Sequence, residues 1–148
     1  MTPRIGFWGL GAGLLLVAVV GGGGCKRRPH VAGTVAAQTV TEAWTAEGFD
    51  TSTIVNVEAD PWAAGACYQG TVSGLDVLLC EYESDESLGS GTQKINAGWD
   101  EESVPTAALV RTTQPSRTIL AVADRTKSDP NGRTIARLTS TFQSLTAK

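Results

Sequence analysis

The chain has 148 residues, with twelve Lys and Arg, fifteen Asp and Glu, and a formal net charge of −3. Beyond the first 32 residues, eight Lys and Arg stand against all fifteen Asp and Glu, which gives that part a net charge of −7. Nucleic-acid-binding proteins depend on clustered Lys and Arg that contact phosphates, so this balance argues against a nucleic-acid partner. The remaining 116 or so residues are enough for one domain.

The first 24 residues differ from the rest of the chain. Arg4 precedes an apolar run at residues 5–20, and four glycines then lead to Cys25. This order resembles the bacterial lipoprotein signal peptide, which has a positive charge, an apolar core and small residues before a cysteine. The resemblance implies cleavage before Cys25 and a lipid with acyl chains such as palmitate on its thiol. The protein would then be anchored in the cell envelope, facing the periplasm or the exterior.

Other interpretations of this segment stay open. Residues 5–24 would be about 30 Å long as a helix, enough to span a bilayer, so the segment could be a single-pass anchor. It could also be a plain export signal. Gly22 stands where lipoprotein signals usually have Leu. Lys26, Arg27 and Arg28 outnumber Arg4, which under the positive-inside rule would favour a C-terminal side in the cytoplasm.

Residues 25–33 are predicted to be a basic tether that is too polar and too short to pack. His30 is the only histidine of the chain and falls in this segment, so we expect an exposed linker residue. A catalytic base must be held within hydrogen-bond reach of its proton, which a flexible stub does not allow. The sequence therefore predicts neither His-based catalysis nor a His-based metal site.

Residues 34–148 are predicted to form a single domain, which begins with a helix at residues 34–47. Thr34 is the expected N-cap, and Gly48 is expected to end the helix. Residues 53–58 are β-branched and alternating, which predicts a strand. Trp62 lies in the following loop, close to Tyr68. Since aromatic side chains anchor many interfaces, both are possible recognition residues, although the core is an alternative place for Trp62.

Cys67 and Cys80 flank a predicted hairpin whose tight turn is Ser73-Gly74. Pairing Val72 with Leu75 across this turn places the two cysteines directly opposite each other. The pair falls at a non-hydrogen-bonded position, where Cα atoms are about 4.5 Å apart, which suits a disulfide. Two buried free thiols are the alternative. A disulfide would agree with export to an oxidising compartment.

The second half predicts a helix capped by Ser84, a second hairpin within residues 107–123 and a last helix that opens at Asp129-Pro130. The last helix carries an apolar stripe that comprises Ile135, Leu138, Phe142 and Leu145. The predicted fold class is α+β. We expect an antiparallel sheet of two hairpins plus an extra strand, with three helices packed mainly on one face.

Few residues of this domain are candidates for catalysis or metal binding. Glu81, Glu83, Asp85 and Glu86 lie together, but two-carboxylate hydrolysis needs acids that face each other across a cleft, so helix capping is favoured. Residues 129–132 are similar to part of a calcium loop that no Glu closes. We predict no catalytic residue, no metal site and no cofactor.

The function predicted from these features is that of a non-enzymatic, membrane-tethered envelope lipoprotein. It would act as a binding or accessory module, with an envelope protein as a possible partner. One alternative is a periplasmic sensor of a small ligand or peptide, with a cleft near Trp62, Tyr68 and the Cys67–Cys80 hairpin. A hydrolase that uses carboxylates alone is less favoured.

Overall fold

The computed structural model describes residues 29–99, 108–113 and 116–146. Its elements are α1 (Ala37–Ala46), β1 (Val55–Val57), a short 3₁₀ turn (Asp60–Trp62), β2 (Ala66–Val72), β3 (Leu75–Glu81), α2 (Asp85–Gly98), β4 (Ala108–Thr112), β5 (Thr118–Ala123) and α3 (Arg133–Ser144). The predicted signal segment and Cys25 lie outside the described residues. Within those ranges, no helix is both long and apolar enough to cross a membrane.

The five strands form one sheet in the order β1-β2-β3-β5-β4, and every neighbouring pair is antiparallel. The predicted α+β class is therefore confirmed, with two hairpins and an extra strand. The second strand of the second hairpin, β5, pairs with β3 and lies inside the sheet. All six residues of β5 are buried, as expected for an interior strand whose sequence is almost wholly apolar.

Both faces of the sheet are covered. Leu75, Val77 and Leu79 of β3 point to one core cluster, which α1 and α3 complete. Leu78 and Cys80 alternate with them and point to a second cluster, which includes side chains of α2. Two of the three helices thus share one face, while α2 packs on the other.

The hairpin turn between β2 and β3 has the predicted residues and register. Ser73 and Gly74 both have positive φ angles, of 52° and 82°, as a two-residue type I′ turn requires. Val72 pairs with Leu75 and Cys67 pairs with Cys80, as predicted. The turn chemistry therefore sets which side chains face each other along the whole hairpin.

Helix α3 begins at Arg133, after Gly132 with a φ of 62°, so the predicted start at Asp129-Pro130 is wrong. Asp129 nevertheless accepts hydrogen bonds from the first turn of α3, although it precedes the helix. Its Oδ1 accepts from the Arg133 amide at 3.0 Å and its Oδ2 from the Ile135 amide at 2.9 Å. The predicted apolar stripe of α3 packs against the cluster that α1 shares.

The register gives the sheet two distinct ends. At one end, Ala66, Glu81, Thr118 and Thr112 are successive partners on β2, β3, β5 and β4. We call this end the tether pole, since the described chain enters the fold there. The opposite end, the distal pole, holds the β2–β3 turn and the residues that follow β5.

Candidate functional site

A buried carboxylate lies at the tether pole. Glu81 ends β3, and its side chain is fully buried. Its Oε2 accepts from Nδ1 of His30 at 2.6 Å and from the Val31 amide at 2.7 Å. Its Oε1 accepts from the Ala37 amide at 3.0 Å. Since a buried charge is tolerated only when it is paired and hydrogen-bonded, these donors account for the burial of Glu81.

The same carboxylate caps α1. Ala37 is the first residue of that helix, whose first amides lack intrahelical partners and carry the positive end of the helix dipole. The predicted N-cap role of Thr34 is wrong, because the N-cap position is Ala36, which has no side-chain cap. The Thr34 hydroxyl lies 2.7 Å from the Val31 carbonyl oxygen and 3.1 Å from Oε2 of Glu81.

Thr118 makes a second attachment beside Glu81, its partner across the β3–β5 pair. Its hydroxyl accepts from the Val35 amide at 3.1 Å and lies 3.2 Å from the Val35 carbonyl oxygen, which it can reach as a donor. Thr34 and Val35 are both buried. We call the contacts of Glu81 and Thr118 with residues 30–37 the latch. The latch fixes the incoming chain on two neighbouring central strands.

The latch corrects the prediction for the end of the tether. The sequence predicts an exposed linker residue at His30, yet Glu81 holds its imidazole, which is 45% exposed. Val31 is half-buried beside Gly65, whereas Ala32 and Gly33 are exposed, and the buried Thr34 and Val35 follow directly. The reason is that a buried carboxylate at the strand end draws several donors from the segment that precedes α1.

An oriented imidazole beside a carboxylate is two thirds of a nucleophilic triad. Among the described residues, however, no Ser, Thr or Cys side chain hydrogen-bonds to His30, whose imidazole bonds to Glu81 instead. The same part of the chain contains no group of three or more His, Cys, Asp or Glu side chains that could hold a metal ion. Glu81 also accepts from the Val31 and Ala37 amides, and these contacts give the His30–Glu81 pair a part in holding the chain before α1.

Four surface depressions lie beside the tether pole. The largest, about 490 Å³, lies between the first turns of α2 and the end of β4, with Leu88, Thr92 and Arg111 in its lining. A second of about 410 Å³ is lined in part by His30 and Glu83. The other two, of about 240 and 110 Å³, border the start of α1 and the loop before β2. These four depressions, all lined by described residues, lie close to where the chain enters the domain.

The two predicted recognition residues do not share a cleft. Tyr68 packs against the cluster on the α1 and α3 face. Trp62 packs against the cluster on the α2 face, and its carbonyl oxygen accepts from the Tyr82 hydroxyl at 3.3 Å. Neither side chain lines the four depressions described above. Among the described residues, the sheet thus separates the side chains of Trp62 and Tyr68, which pack against different clusters.

The four clustered carboxylates do not converge either. Glu81 is buried in the latch, whereas Glu83, Asp85 and Glu86 are exposed. Ser84 is the N-cap of α2, as predicted, and accepts from the Ser87 amide at 3.1 Å. The two acids in the first turn of α2 therefore lie near the positive end of the helix dipole, which agrees with the capping interpretation.

Alkaline titration is expected to report on both tyrosines of the chain. Burial raises the pKa of Tyr82 well above its ordinary value near 10. Burial, and next the negative charge of Glu81, raise the pKa of Tyr68, while a hydrogen bond with Asn56 lowers it. Because the folded state favours the neutral phenols, the two tyrosines contribute their whole share of the free energy of unfolding below pH 10. This contribution is lost as the pH rises above 10.

We therefore expect absorbance at 295 nm to show less phenolate near pH 10 than free tyrosine does, and to rise together with unfolding, which is followed by circular dichroism. Free tyrosine in the same buffer is the control. Ionisation of both tyrosines at pH 10 in a folded protein would contradict the expectation.

The predicted disulfide is present. Cys67 and Cys80 are bonded, with their Cα atoms 4.2 Å apart, and both residues are fully buried. The bond joins adjacent strands on the face that α2 covers. Its position follows from the register of the hairpin, as the sequence predicted.

Removal of this disulfide by the double substitution C67A/C80A is expected to lower the free energy of unfolding by about 3 kcal/mol, because the bond restricts the unfolded chain. Guanidinium denaturation with circular dichroism measures this loss. The wild-type protein unfolded in excess reductant is the control and should approach the stability of the variant. Equal midpoints for oxidised wild type and variant would show that the bond does not stabilise the fold.

Comparison of the chain with protein-family models, with curated proteins and with solved structures finds no match.

Proposed function

We propose that this chain is an exported domain tethered to a membrane through lipid on Cys25, and that it acts in the cell envelope as a non-enzymatic binding or accessory module. The observation that carries the proposal is the buried Cys67–Cys80 disulfide. Such bonds persist in oxidising compartments and are rare in the cytosol. The proposed export signal and the disulfide come from separate parts of the chain, and both favour an oxidising compartment.

The short chain between Cys25 and the domain adds support for a role close to the membrane. Only Cys25 to Arg28 lie between the proposed lipid and the first described residue, Pro29, and a chain of this length spans at most about 14 Å. A domain on so short a tether acts on components at the membrane surface. The −7 net charge of the part beyond residue 32 keeps it soluble and disfavours nucleic acid as a partner.

The experiment is intact mass spectrometry of the protein from the membrane fraction, with and without reductant. We expect the mass of a chain that begins at Cys25 and carries diacylglycerol, with a gain of about 2 Da when the disulfide is reduced. The variant Cys25→Ser should lose the lipid and keep the 2 Da shift. A full-length, unmodified chain with free thiols would contradict both the anchor and the compartment.

A second candidate function is a sensor of a small ligand or peptide, and the depression between α2 and β4 favours it. Its volume of about 490 Å³ falls in the range of small-molecule sites, and its lining combines Leu88 with Arg111, Thr92 and Gln93. Amide NMR with fragment mixtures tests this candidate. Shifts confined to α2 and β4 would support a sensor, whereas shifts scattered over the whole surface would reject this depression as its site.

A further inference from the structure

We infer that the tether pole is the surface of this domain that faces the lipid bilayer, and that the distal pole points away from it. The inference rests on the membrane tethering in the proposed function. It does not depend on the kind of anchor, because lipid on Cys25 and an uncleaved apolar segment would both end within a few residues of Pro29. The partner of the tether pole is therefore the headgroup layer of the membrane.

The length of the tether supports this orientation. From Cys25 to Pro29 the chain reaches at most about 14 Å. A seven-residue strand such as β2 or β3 is about 24 Å long, so the sheet is longer than the tether. A domain attached at one end by such a tether cannot turn its other end to the membrane.

The attachment at this end is firm, because the latch joins the tether to the centre of the sheet. Glu81 and Thr118 belong to β3 and β5, two of the strands that have a neighbouring strand on both sides. The segment also lies tightly on the sheet end. A Cβ added to Gly65 would be 2.5 Å from Cγ2 of Val31, so a larger residue at position 65 would require the Val31 side chain to shift.

Charge acts on the tether and on the domain in opposite senses. Three consecutive basic residues, Lys26, Arg27 and Arg28, come directly before the tether pole, and anionic headgroups attract such segments. The part beyond residue 32 has a net charge of −7 and exposes Glu83, Asp85 and Glu86 at the tether pole, so the same headgroups repel it within about a Debye length. The orientation therefore follows from the length of the tether and not from charge. One consequence is that the four depressions at the tether pole open at the level of the headgroups, where membrane-bound molecules would reach them.

Energy transfer to the membrane surface tests the orientation. Glu86 lies in the exposed first turn of α2 at the tether pole, and Thr126 is exposed beyond β5 at the distal pole. Each is replaced in turn by p-acetylphenylalanine, which carries a donor dye without use of a cysteine. The full chain is then reconstituted in phosphatidylcholine and phosphatidylglycerol vesicles with an acceptor-labelled lipid. We expect the donor at position 86 to be nearer the surface by roughly 20 Å, close to the length of a strand.

A matched control lengthens the tether and leaves the domain unchanged. Six Gly and Ser residues inserted between Arg28 and Pro29 raise the maximum reach to about 35 Å, beyond the length of the sheet. The two donors should then show nearly equal transfer. Equal energy transfer from the two donors without the insertion would overturn the inference. It would also be overturned if the chain with the insertion kept the same difference between the donors as the chain without it.

The outcomes separate this inference from the proposed function. If the two donors lie at different distances from the membrane surface in a chain that carries no lipid on Cys25, the lipid anchor is rejected and the orientation is retained. Lipid on Cys25 with equal transfer from both donors would reject the orientation alone. Intact mass of the reconstituted sample, measured before the transfer experiment, assigns each preparation to one of these cases.

Discussion

Substitution of Glu81 by alanine is expected to lower the free energy of unfolding by about 3–5 kcal/mol, the cost typical of breaking a buried charged network. The substitution removes the acceptor for the Val31 and Ala37 amides and for His30. Those donors would stay near the sheet without partners, and an unsatisfied buried donor costs about 1–3 kcal/mol. The first turn of α1 would also lose the negative charge at its positive end.

Two further variants make this prediction specific. Glu81→Gln keeps the shape but replaces one accepting oxygen by an NH₂ group that faces other donors, so we expect a loss of about 1.5–3 kcal/mol. Glu83→Gln is the matched control, since Glu83 is exposed two residues further along the chain, and its effect should stay within about 0.5 kcal/mol. Guanidinium denaturation measures all three.

Amide hydrogen exchange shows which part of the fold loses stability in these variants. In Glu81→Gln, protection should fall first at the amides of Val31, Val35 and Ala37, which the latch holds in the wild type. Equal stability of Glu81→Ala and Glu83→Gln would show that the Glu81 contacts of the latch contribute nothing to the stability of the fold.

The sequence was most informative where the determinants are local. The Ser73-Gly74 turn sets the pairing of Val72 with Leu75, and from this pair every other pair of the hairpin follows by counting, including Cys67 with Cys80. Ser84 and the stripe of α3 are local signals of the same kind. Such features depend on residues within a few positions of each other, so one sequence suffices to predict them.

The latch was missed because its partners are far apart in the chain. His30 and Glu81 are 51 residues apart, and Val35 and Thr118 are 83 apart. A polar contact of this kind leaves no periodic pattern, and Glu81 lies among other acids that have ordinary capping roles. One signal was present, because Glu81 continues the inward-facing series Leu75, Val77 and Leu79 of β3. A carboxylate at such a position needs buried donors.

The position of α2 could also have been predicted. Leu78 and Cys80 are apolar and lie on the face of β3 opposite to Val77 and Leu79. A strand that is apolar on both faces is covered on both, so a helix was to be expected on the second face as well. The same alternation applies to β2. Cys67 faces the side that α2 covers, so the next residue, Tyr68, faces the opposite side. No such rule predicts the position of Trp62, because this residue lies in the 3₁₀ turn rather than in a strand.

The second large effect on the free energy of unfolding is expected in α2, at Gly89 and Gly91. A Cβ added to Gly91 would be 2.2–2.4 Å from Cε1, Oη and Cζ of Tyr82, whereas a Cβ added to Gly89 would have nothing within 4 Å. Tyr82 is fully buried and its hydroxyl donates to the Trp62 carbonyl oxygen, so its ring has little freedom to move. The close approach of α2 to the sheet therefore depends on Gly91.

We expect Gly91→Ala to lower the free energy of unfolding by about 3 kcal/mol, because overpacking shifts the Tyr82 ring or the helix. Gly89→Ala should raise it by up to about 1 kcal/mol, since alanine is the better helix former. Both variants gain the same intrinsic helix propensity, so their difference of about 4 kcal/mol isolates the contact with Tyr82. Thermal and guanidinium unfolding of the pair measure it. If Gly91→Ala were as stable as Gly89→Ala, α2 would not lie this close to the Tyr82 ring, and its packing on the second face of the sheet would have to be revised.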